Sequence, residues 1–364
     1  GDFTTSFSGG TPTAGASEFY GGNIPFIRSG EIHESKTELF LTDAGLNNSS
    51  AKVVEKGTLL YALYGATSGE VGISKIKGAI NQAILAIYPN KTVDKRFLAN
   101  YLQSHKQKIV GELLQGGQGN LSGALVKSIS VNYPNNREQQ AISDYVDSLD
   151  SQISASTSRL ASLKQMKAAS LQAMFPQEGE TVPKIRFKGF EGEWKKVKAD
   201  SIFKTFNEKN RPDLPVLSAT QDRGMVTRES IGYNIFHDTS NEATYKHILP
   251  GQFVIHLRSF QGGFAHSEIE GIASPAYTII DFKNKDLYHD YYWRYVFMSK
   301  EFIKRLELIT YGIRDGRSIS YDEFKEMSFL VPSKEEQIKI ASYLKNLDRQ
   351  ISLQSQRLEK LKQI

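Results

Sequence analysis

Cysteine is absent from all 364 residues. That excludes disulfides, thiolate nucleophiles and zinc–thiolate sites together, and it accords with a reducing compartment. No apolar run approaches the roughly 20 residues that span a bilayer, and no secretory leader is visible. The expected location is the cytoplasm, with no membrane partner. Catalytic signatures are missing as well. There is no G-x-x-x-x-G-K-[ST] phosphate loop and no Gly-x-Ser-x-Gly elbow. The stretch Gly116-Gly-Gln-Gly-Asn-Leu-Ser-Gly123 lacks the spacing of a dinucleotide cradle and precedes a strand. His33-Glu34 opens like a zinc-protease motif, but Thr37 stands where its second histidine belongs. No Asn/Asp-Pro-Pro-aromatic run of the kind that amino-methyltransferases use is found, and the 7 histidines are scattered without ligand spacing. The chain is therefore expected to be no enzyme by itself and to hold no metal.

What is present begins with an apolar fraction of 39%, enough for packed cores, and a net charge of +5, a mild bias toward a polyanionic partner. The dominant feature is an internal repeat. Pro134–Met166 and Pro332–Ile364 align without gaps at an offset of 198, with 15 of 33 residues identical. Each copy follows a proline and contains no further proline or glycine, so each reads as a helix. Apolar residues recur at alternating spacings of four and three: Ile142, Val146, Leu149, Ile153, Leu160 and Leu163 in the first copy, and Ile340, Leu344, Leu347, Ile351, Leu358 and Leu361 in the second. This is a coiled-coil seam, interrupted in both copies by one polar position, Ser156 and Gln354. The first helix is expected over Arg137–Met174, 38 residues and roughly 57 Å. It cannot bury its seam alone, and the other copy is the economical partner.

The segments before the helices match more faintly. Gly57-Thr-Leu-Leu-Tyr aligns with Gly251-Gln-Phe-Val-Ile at an offset of 194, which also places Gly69 on Gly263 and Ala79 on Ala273. Asn120-Leu-Ser-Gly-Ala-Leu-Val-Lys aligns with Ser318-Ile-Ser-Tyr-Asp-Glu-Phe-Lys at an offset of 198, and both lead toward a short apolar strand ending at the repeated proline. The unit is a globular domain followed by a helix, and it occurs twice. Val182–Trp194 leads into the second domain; the first lacks a counterpart, so about twenty native residues are expected to precede Gly1. The expected division is 1–134 for the first domain, 135–176 for its helix, 177–332 for the second domain with its lead-in, and 333–364 for the second helix.

Each domain carries Gly-rich, polar loops at equivalent points. Tyr64-Gly-Ala-Thr-Ser-Gly69 and Gln115-Gly-Gly-Gln-Gly-Asn120 in the first match Arg258-Ser-Phe-Gln-Gly-Gly263 and Tyr311-Gly-Ile-Arg-Asp-Gly-Arg317 in the second. Arginine and amide side chains read base edges, while glycine, serine and threonine suit phosphates. The same residues also make ordinary hairpin turns. Candidate DNA contacts are Thr11, Arg28, Tyr64, Thr67, Ser68, Gln115, Gln118 and Asn120, with Arg211, Arg223, Arg258, Ser259, Gln261, Arg314 and Arg317 in the second domain. Lys75, Lys77, Lys106 and Lys108 are phosphate candidates or solvated charges.

Two diverged domains, each followed by a near-identical heptad helix opening Pro-x-x-x-Glu-Gln, resemble the specificity subunits of type I restriction–modification systems. Gly10-Thr-Pro12, Asn23-Ile-Pro-Phe-Ile27 and the Lys-Ile-Arg-Phe-x-Gly-Phe-x-Gly-x-Trp lead-in ending at Trp194 are similar to that family too. The resemblance implies an α+β protein with two α/β target-recognition domains, each reading half of a bipartite double-stranded DNA site. It implies helices that pair as an antiparallel coiled-coil spacer with pseudo-two-fold symmetry and set the number of unread base pairs. It also implies docking of two methyltransferase subunits, which carry S-adenosylmethionine, and association with nuclease–translocase subunits that use ATP and magnesium. Two other readings are open: a single-chain DNA methyltransferase, which needs a methyl-donor pocket, and a coiled-coil scaffold with two protein-binding domains.

Overall fold

The computed structural model describes residues 1–113, 120–220, 223–231, 239–256, 263–310 and 320–364. The chain divides into two compact units, Gly1–Ile153 and Ser154–Ile364.

The first unit holds strands β1 (Thr4–Ser8), β2 (Tyr20–Ile27), β3 (Leu39–Leu41), β4 (Lys52–Val54), β5 (Leu59–Ala62), β6 (Val71–Ile73), β7 (Gly78–Ile80) and β8 (Ile84–Pro89). One sheet runs β1-β8-β5-β6, the other β3-β2-β7-β4. All pairings are antiparallel except β2 with β7. Strand β5 shows why the sequence reads as a continuous apolar run here. Successive side chains point to opposite faces, and both faces are covered. Leu59 and Tyr61 pack with Leu98, Leu102 and Leu121, while Leu60 and Ala62 pack with Ile27, Ile80 and Ile84.

In the second unit the strands are β9 (Lys195–Lys198), β10 (Phe203–Phe206), β11 (Leu217–Thr220), β12 (Gly224–Thr227), β13 (Lys246–Ile248), β14 (Phe253–Ile255), β15 (Phe264–His266), β16 (Gly271–Ala273), β17 (Thr278–Phe282) and β18 (Ser328–Val331). The sheet β10-β17-β14-β15 repeats the order of β1-β8-β5-β6. The same two-faced division recurs: Phe253 and Ile255 face one core and Val254 the other. What differs is size. Trp293 and Phe297, on the helix Asp290–Met298, sit where Leu98 and Leu102 sit on the helix Lys95–Ser104, and Phe324 replaces Val126.

The duplication extends to backbone detail. Gly57 and Gly251 both adopt positive φ, 89° and 87°, a conformation that favours glycine. Their N–H groups donate to Ser74 O and Ser267 O at 2.7 and 2.8 Å. The hydroxyls of those two serines donate in turn to Ile76 O and Ile269 O. One difference is marked. Strand β18 pairs with β9, whereas its counterpart, residues 130–133, forms no strand with any described residue. A strand needs a neighbour for its ladder, and none lies there among the described residues.

The first long helix is Asn136–Ala173, 38 residues, and the second is Lys334–Lys362. Within the second unit they run antiparallel. Gln354 Nε2 donates to Ser156 O at 3.2 Å, Lys167 pairs with Asp348 at 2.6 Å, and Ser170 Oγ lies 3.3 Å from Tyr343 Oη. Leu163 packs there with Ile340, Leu344 and Leu347 in one core.

Each helix begins at a buried glutamine, Gln139 or Gln337, both fully enclosed. Gln139 Oε1 accepts from Asp94 N at 2.7 Å, and its Nε2 donates to Thr92 O and Pro134 O at 3.1 and 2.8 Å. Gln337 does the same with His289 N, Leu287 O and Pro332 O, at 3.0, 3.1 and 3.1 Å. Asp94 and His289 are the residues immediately before the helices Lys95–Ser104 and Asp290–Met298. One amide thus satisfies three backbone groups and joins the long helix to its own domain. Replacing Gln139 or Gln337 by leucine leaves one N–H and two carbonyls unpaired in the interior. Each change is expected to lower stability by about 2–3 kcal/mol, seen as a lower urea midpoint; a loss under about 0.5 kcal/mol would contradict the lock.

Candidate nucleic-acid interface

In the first unit one buried residue organises the rim. Leu63 N donates to Ala83 O at 2.8 Å, and Leu63 O accepts from Leu121 N at 3.0 Å and from Ser68 Oγ at 3.1 Å. Three segments distant in sequence converge at this point. Tyr64–Gly69 forms the tip between β5 and β6, with a short turn at Gly65–Thr67. Thr67 Oγ1 donates to Tyr64 O at 3.4 Å, so both hydroxyls donate within the tip and retain their acceptor lone pairs. Gly69 has φ +82°, and a Cβ there would stand 2.5 Å from Val110. Glycine is required because the helix Lys106–Leu113 lies against the tip.

Asn120 is exposed beside Leu121. Thr11 Oγ1 donates to Gln82 Oε1, and Gln82 is exposed next to Ala83. Asn81 N donates to Ile27 O at 3.2 Å, bringing Arg28 to the same neighbourhood. Thr11, Arg28, Tyr64, Thr67, Ser68 and Asn120 therefore gather at one end of the unit. Gln82 joins them and was not singled out from the sequence. The signal was faint: an Asn-Gln pair between two apolar strands reads as a simple turn.

Arg28 is already engaged. Its guanidinium meets Glu31 through Nε and Nη2 at 3.1 and 2.9 Å and Glu38 at 2.6 Å. Thr37 Oγ1 and Glu38 N also donate to Glu31. Burial pushes the Glu31 carboxyl up, but the hydrogen bonds from Arg28, Glu38 N, Arg28 N and Thr37 outweigh it and hold the group at about 2. Among the lysines, Lys106 pairs with Glu70 at 2.5 Å and Lys77 with Glu55 at 2.7 Å, while Lys108 lies 4.0 Å from Glu112. His33 stands 3.6 Å from the same Glu70. Hydrogen bonding by Lys106 holds the Glu70 carboxyl below its ordinary range.

The second unit distributes its candidates differently. Arg211 forks onto Asp213 at 3.1 Å through two nitrogens and lies 3.7 Å from Glu270. Arg223 is exposed in the turn between β11 and β12, its N–H on Thr220 Oγ1 at 3.2 Å. That turn packs against His266, where a Cβ on Gly224 would meet the carbonyl at 2.3 Å. His266 is at the end of β15 away from Gly263. Gln115, Gln118, Arg258, Ser259, Gln261, Arg314 and Arg317 lie outside the described residues.

Of the seam residues, Leu163, Ile340, Leu344, Leu347 and Leu358 are buried, and Val146, Leu149, Ile153, Leu160, Ile351 and Leu361 are half-buried. Ile142 is 38% exposed. Among the described residues no cluster of acids and histidines could hold a metal ion, and no helix is long and apolar enough to cross a membrane.

The family model for the type I restriction modification DNA specificity domain matches residues 1–165 and 191–363, one copy over each unit. The chain belongs to this family. A curated relative, the type I restriction enzyme MjaIX specificity subunit of Methanocaldococcus jannaschii, is 30% identical over 153 residues, covering 39% of this chain and 34% of the relative. The match thus spans about a third of that relative's length. The crystal structure of the type I restriction-modification system S subunit from M. genitalium aligns with 99% of this chain and 91% of its own at a TM-score of 0.59 and 15% identity. That likeness is one of fold, and it extends to both specificity domains.

Within the specificity-domain rim of the first unit, the Arg28–Glu31 pair gives a pH test. Ionised Glu31 stabilises the loop at every pH above the ordinary carboxylate range, and that contribution disappears as pH falls from about 4.5 to about 2. Glu31→Gln is expected to cost about 1–3 kcal/mol at pH 6. The gap to the native chain should close toward pH 2 in urea titrations; a gap independent of pH would remove the pair from the account.

Proposed function

We propose that this chain is a DNA sequence-specificity subunit of a type I restriction–modification complex, non-catalytic by itself, reading a bipartite double-stranded site with one unit per half. The observation that carries the reading is the pairing of two family-matched units with one scaffold and unlike loop sequences at equivalent points of the repeat. Different side chains at those points suit different bases. In the first unit, Thr11, Gln82 and Asn120 offer donors and acceptors of the type that adenine and cytosine edges accept. Ser68 and Thr67, beside the glycines, suit phosphate oxygens. The bound arginines Arg28 and Arg211 serve first to fix loops. Reading a base with either would require giving up carboxylate partners.

The long helices, joined to their domains through Gln139 and Gln337, would dock methyltransferase subunits that supply the methyl donor. Nuclease–translocase subunits would complete the restriction complex. Exposed Tyr145 and Met166 on the first helix are suited to such docking.

The experiment is mapping of methylated bases in a host that expresses this chain with its methyltransferase. Gln82→Ala together with Asn120→Ala is expected to relax or change one half-site only, because losing a base contact costs about 1–3 kcal/mol of discrimination. Equal change in both halves, or retention of the native site by the double variant, would count against one unit per half-site.

A further inference from the structure

Glu70, at the base of the tip Tyr64–Gly69, collects three side chains. Lys106 Nζ donates to its Oε1 at 2.5 Å, Gln103 Nε2 donates to its Oε2 at 3.5 Å, and His33 Nε2 stands 3.6 Å from that second oxygen. Gln103 Oε1 accepts from Val71 N at 3.1 Å, so the helix Lys95–Ser104 holds β6 beside the ion pair. The Lys106 stem lies along the tip: a Cβ on Gly69 would stand 3.1 Å from its Cγ and 3.6 Å from its Cε. Glycine leaves the gap through which the lysine reaches the carboxylate. The Lys106 and Glu70 side chains are 28% and 29% exposed, so the pair is open to solvent at the base of the tip.

The second unit does without this carboxylate. Ala62 N donates to Glu70 O at 2.8 Å, and His256 N donates to Gly263 O at 2.9 Å. Tyr61 pairs with Val71, and Ile255 with Phe264. Gly263 therefore holds the place of Glu70, one step off the offset of 194 that the surrounding sequence keeps. The lysine is retained. Lys106 and Lys300 each open the next helix, directly after the end residues His105 and Ser299. Lys300 meets no side chain at Gly263 and is exposed. The scaffold thus forms with a glycine where the first unit carries Glu70, and the ion pair is an addition peculiar to the first rim.

We propose that Lys106 is a positioning residue for the first half-site: its ammonium stays on Glu70 while DNA is bound, and the pair fixes the tip Tyr64–Gly69 in the shape that meets the duplex. This rests on the reading of that rim as a DNA interface. By residue type Lys106 is a phosphate candidate. A lysine that left Glu70 for a phosphate, however, would bare a carboxylate beside a polyanion, and like charges set together across an interface are strongly unfavourable. Hydrogen bonding by Lys106 holds the Glu70 carboxyl below its ordinary range, so the group is ionised at neutral pH and keeps its need for that cation. In the second unit Lys300 has no such carboxylate to cancel, and the same position is free to meet phosphate.

The test uses the full chain assembled with its methyltransferase and a duplex that carries its mapped site, with affinity measured across a range of salt. Lys106→Met keeps the stem and removes the charge. It is expected to weaken binding about tenfold and to relax the first half-site only. Adding Glu70→Gln to that variant removes the bared carboxylate. Binding should then return to within about threefold of the native complex, with the native slope of log K against log salt. A lysine that contacts phosphate behaves otherwise: the double variant stays weak, and the slope falls by about 0.9. That result overturns the proposal, and so does native binding by Lys106→Met alone. Urea midpoints of both variants separate these effects from a loss of fold. Failure of the rim reading itself is distinct, because Gln82→Ala with Asn120→Ala then leaves the first half-site unchanged as well, which removes both.

Discussion

Each unit depends on one buried side-chain amide at the point where a domain becomes a helix. A helix start leaves backbone groups without partners, and so does the loop that precedes a neighbouring helix. Gln139 and Gln337 answer both at once, because an amide carries an acceptor and two donors on one rigid group. Leucine could fill the volume and would satisfy none of the three groups. Glutamate would set a carboxylate against two carbonyl oxygens. The direction in which each long helix leaves its domain follows from this contact. With the glutamine face turned inward, the heptad seam is left to meet another helix.

The two units share strand order, glycine turns and serine bridges, yet fill their cores differently. Leu98, Leu102 and Val126 in one are Trp293, Phe297 and Phe324 in the other. Cores accept such changes when volume is rebalanced around them. The second unit does so with a cluster of rings that includes Phe203, Phe253, Phe282 and Phe329 at centroid spacings of 5–6.4 Å.

Periodicity made the helices legible. An unbroken heptad run over 33 residues, repeated at a fixed offset, leaves little else for the chain to form, and the observed helix starts one residue before Arg137. The equivalence of Gly57 with Gly251 was legible for the same reason: positive φ confines the position to glycine. The rim was only partly legible. Arg28 and Glu31 are three residues apart, and their pairing could have been suspected. Leu63 as the meeting point of Ala83 and Leu121 could not, because it joins the end of β5 to a turn before β8 and to a loop much further along the chain. Likewise, nothing local in Arg186 announces Glu336, 150 residues away. Long-range polar contacts have no sequence period, so they become visible only once the strands are in place.

The polar break in the seam takes its meaning from the antiparallel pairing. Ser156 and Gln354 occupy the same place in the repeat, and Gln354 Nε2 donates to the Ser156 carbonyl. A small residue at 156 leaves its backbone open, and a long amide at 354 reaches it. A position that meets its own counterpart marks the centre of an antiparallel pairing of like helices. Sliding either helix by one heptad would bury the amide of Gln354 against aliphatic side chains with no partner, at a cost of roughly 1–3 kcal/mol. The interruption therefore selects one register among several that the apolar positions alone would tolerate. Selection of this kind explains why the seam keeps a polar residue in each copy where leucine would add more burial.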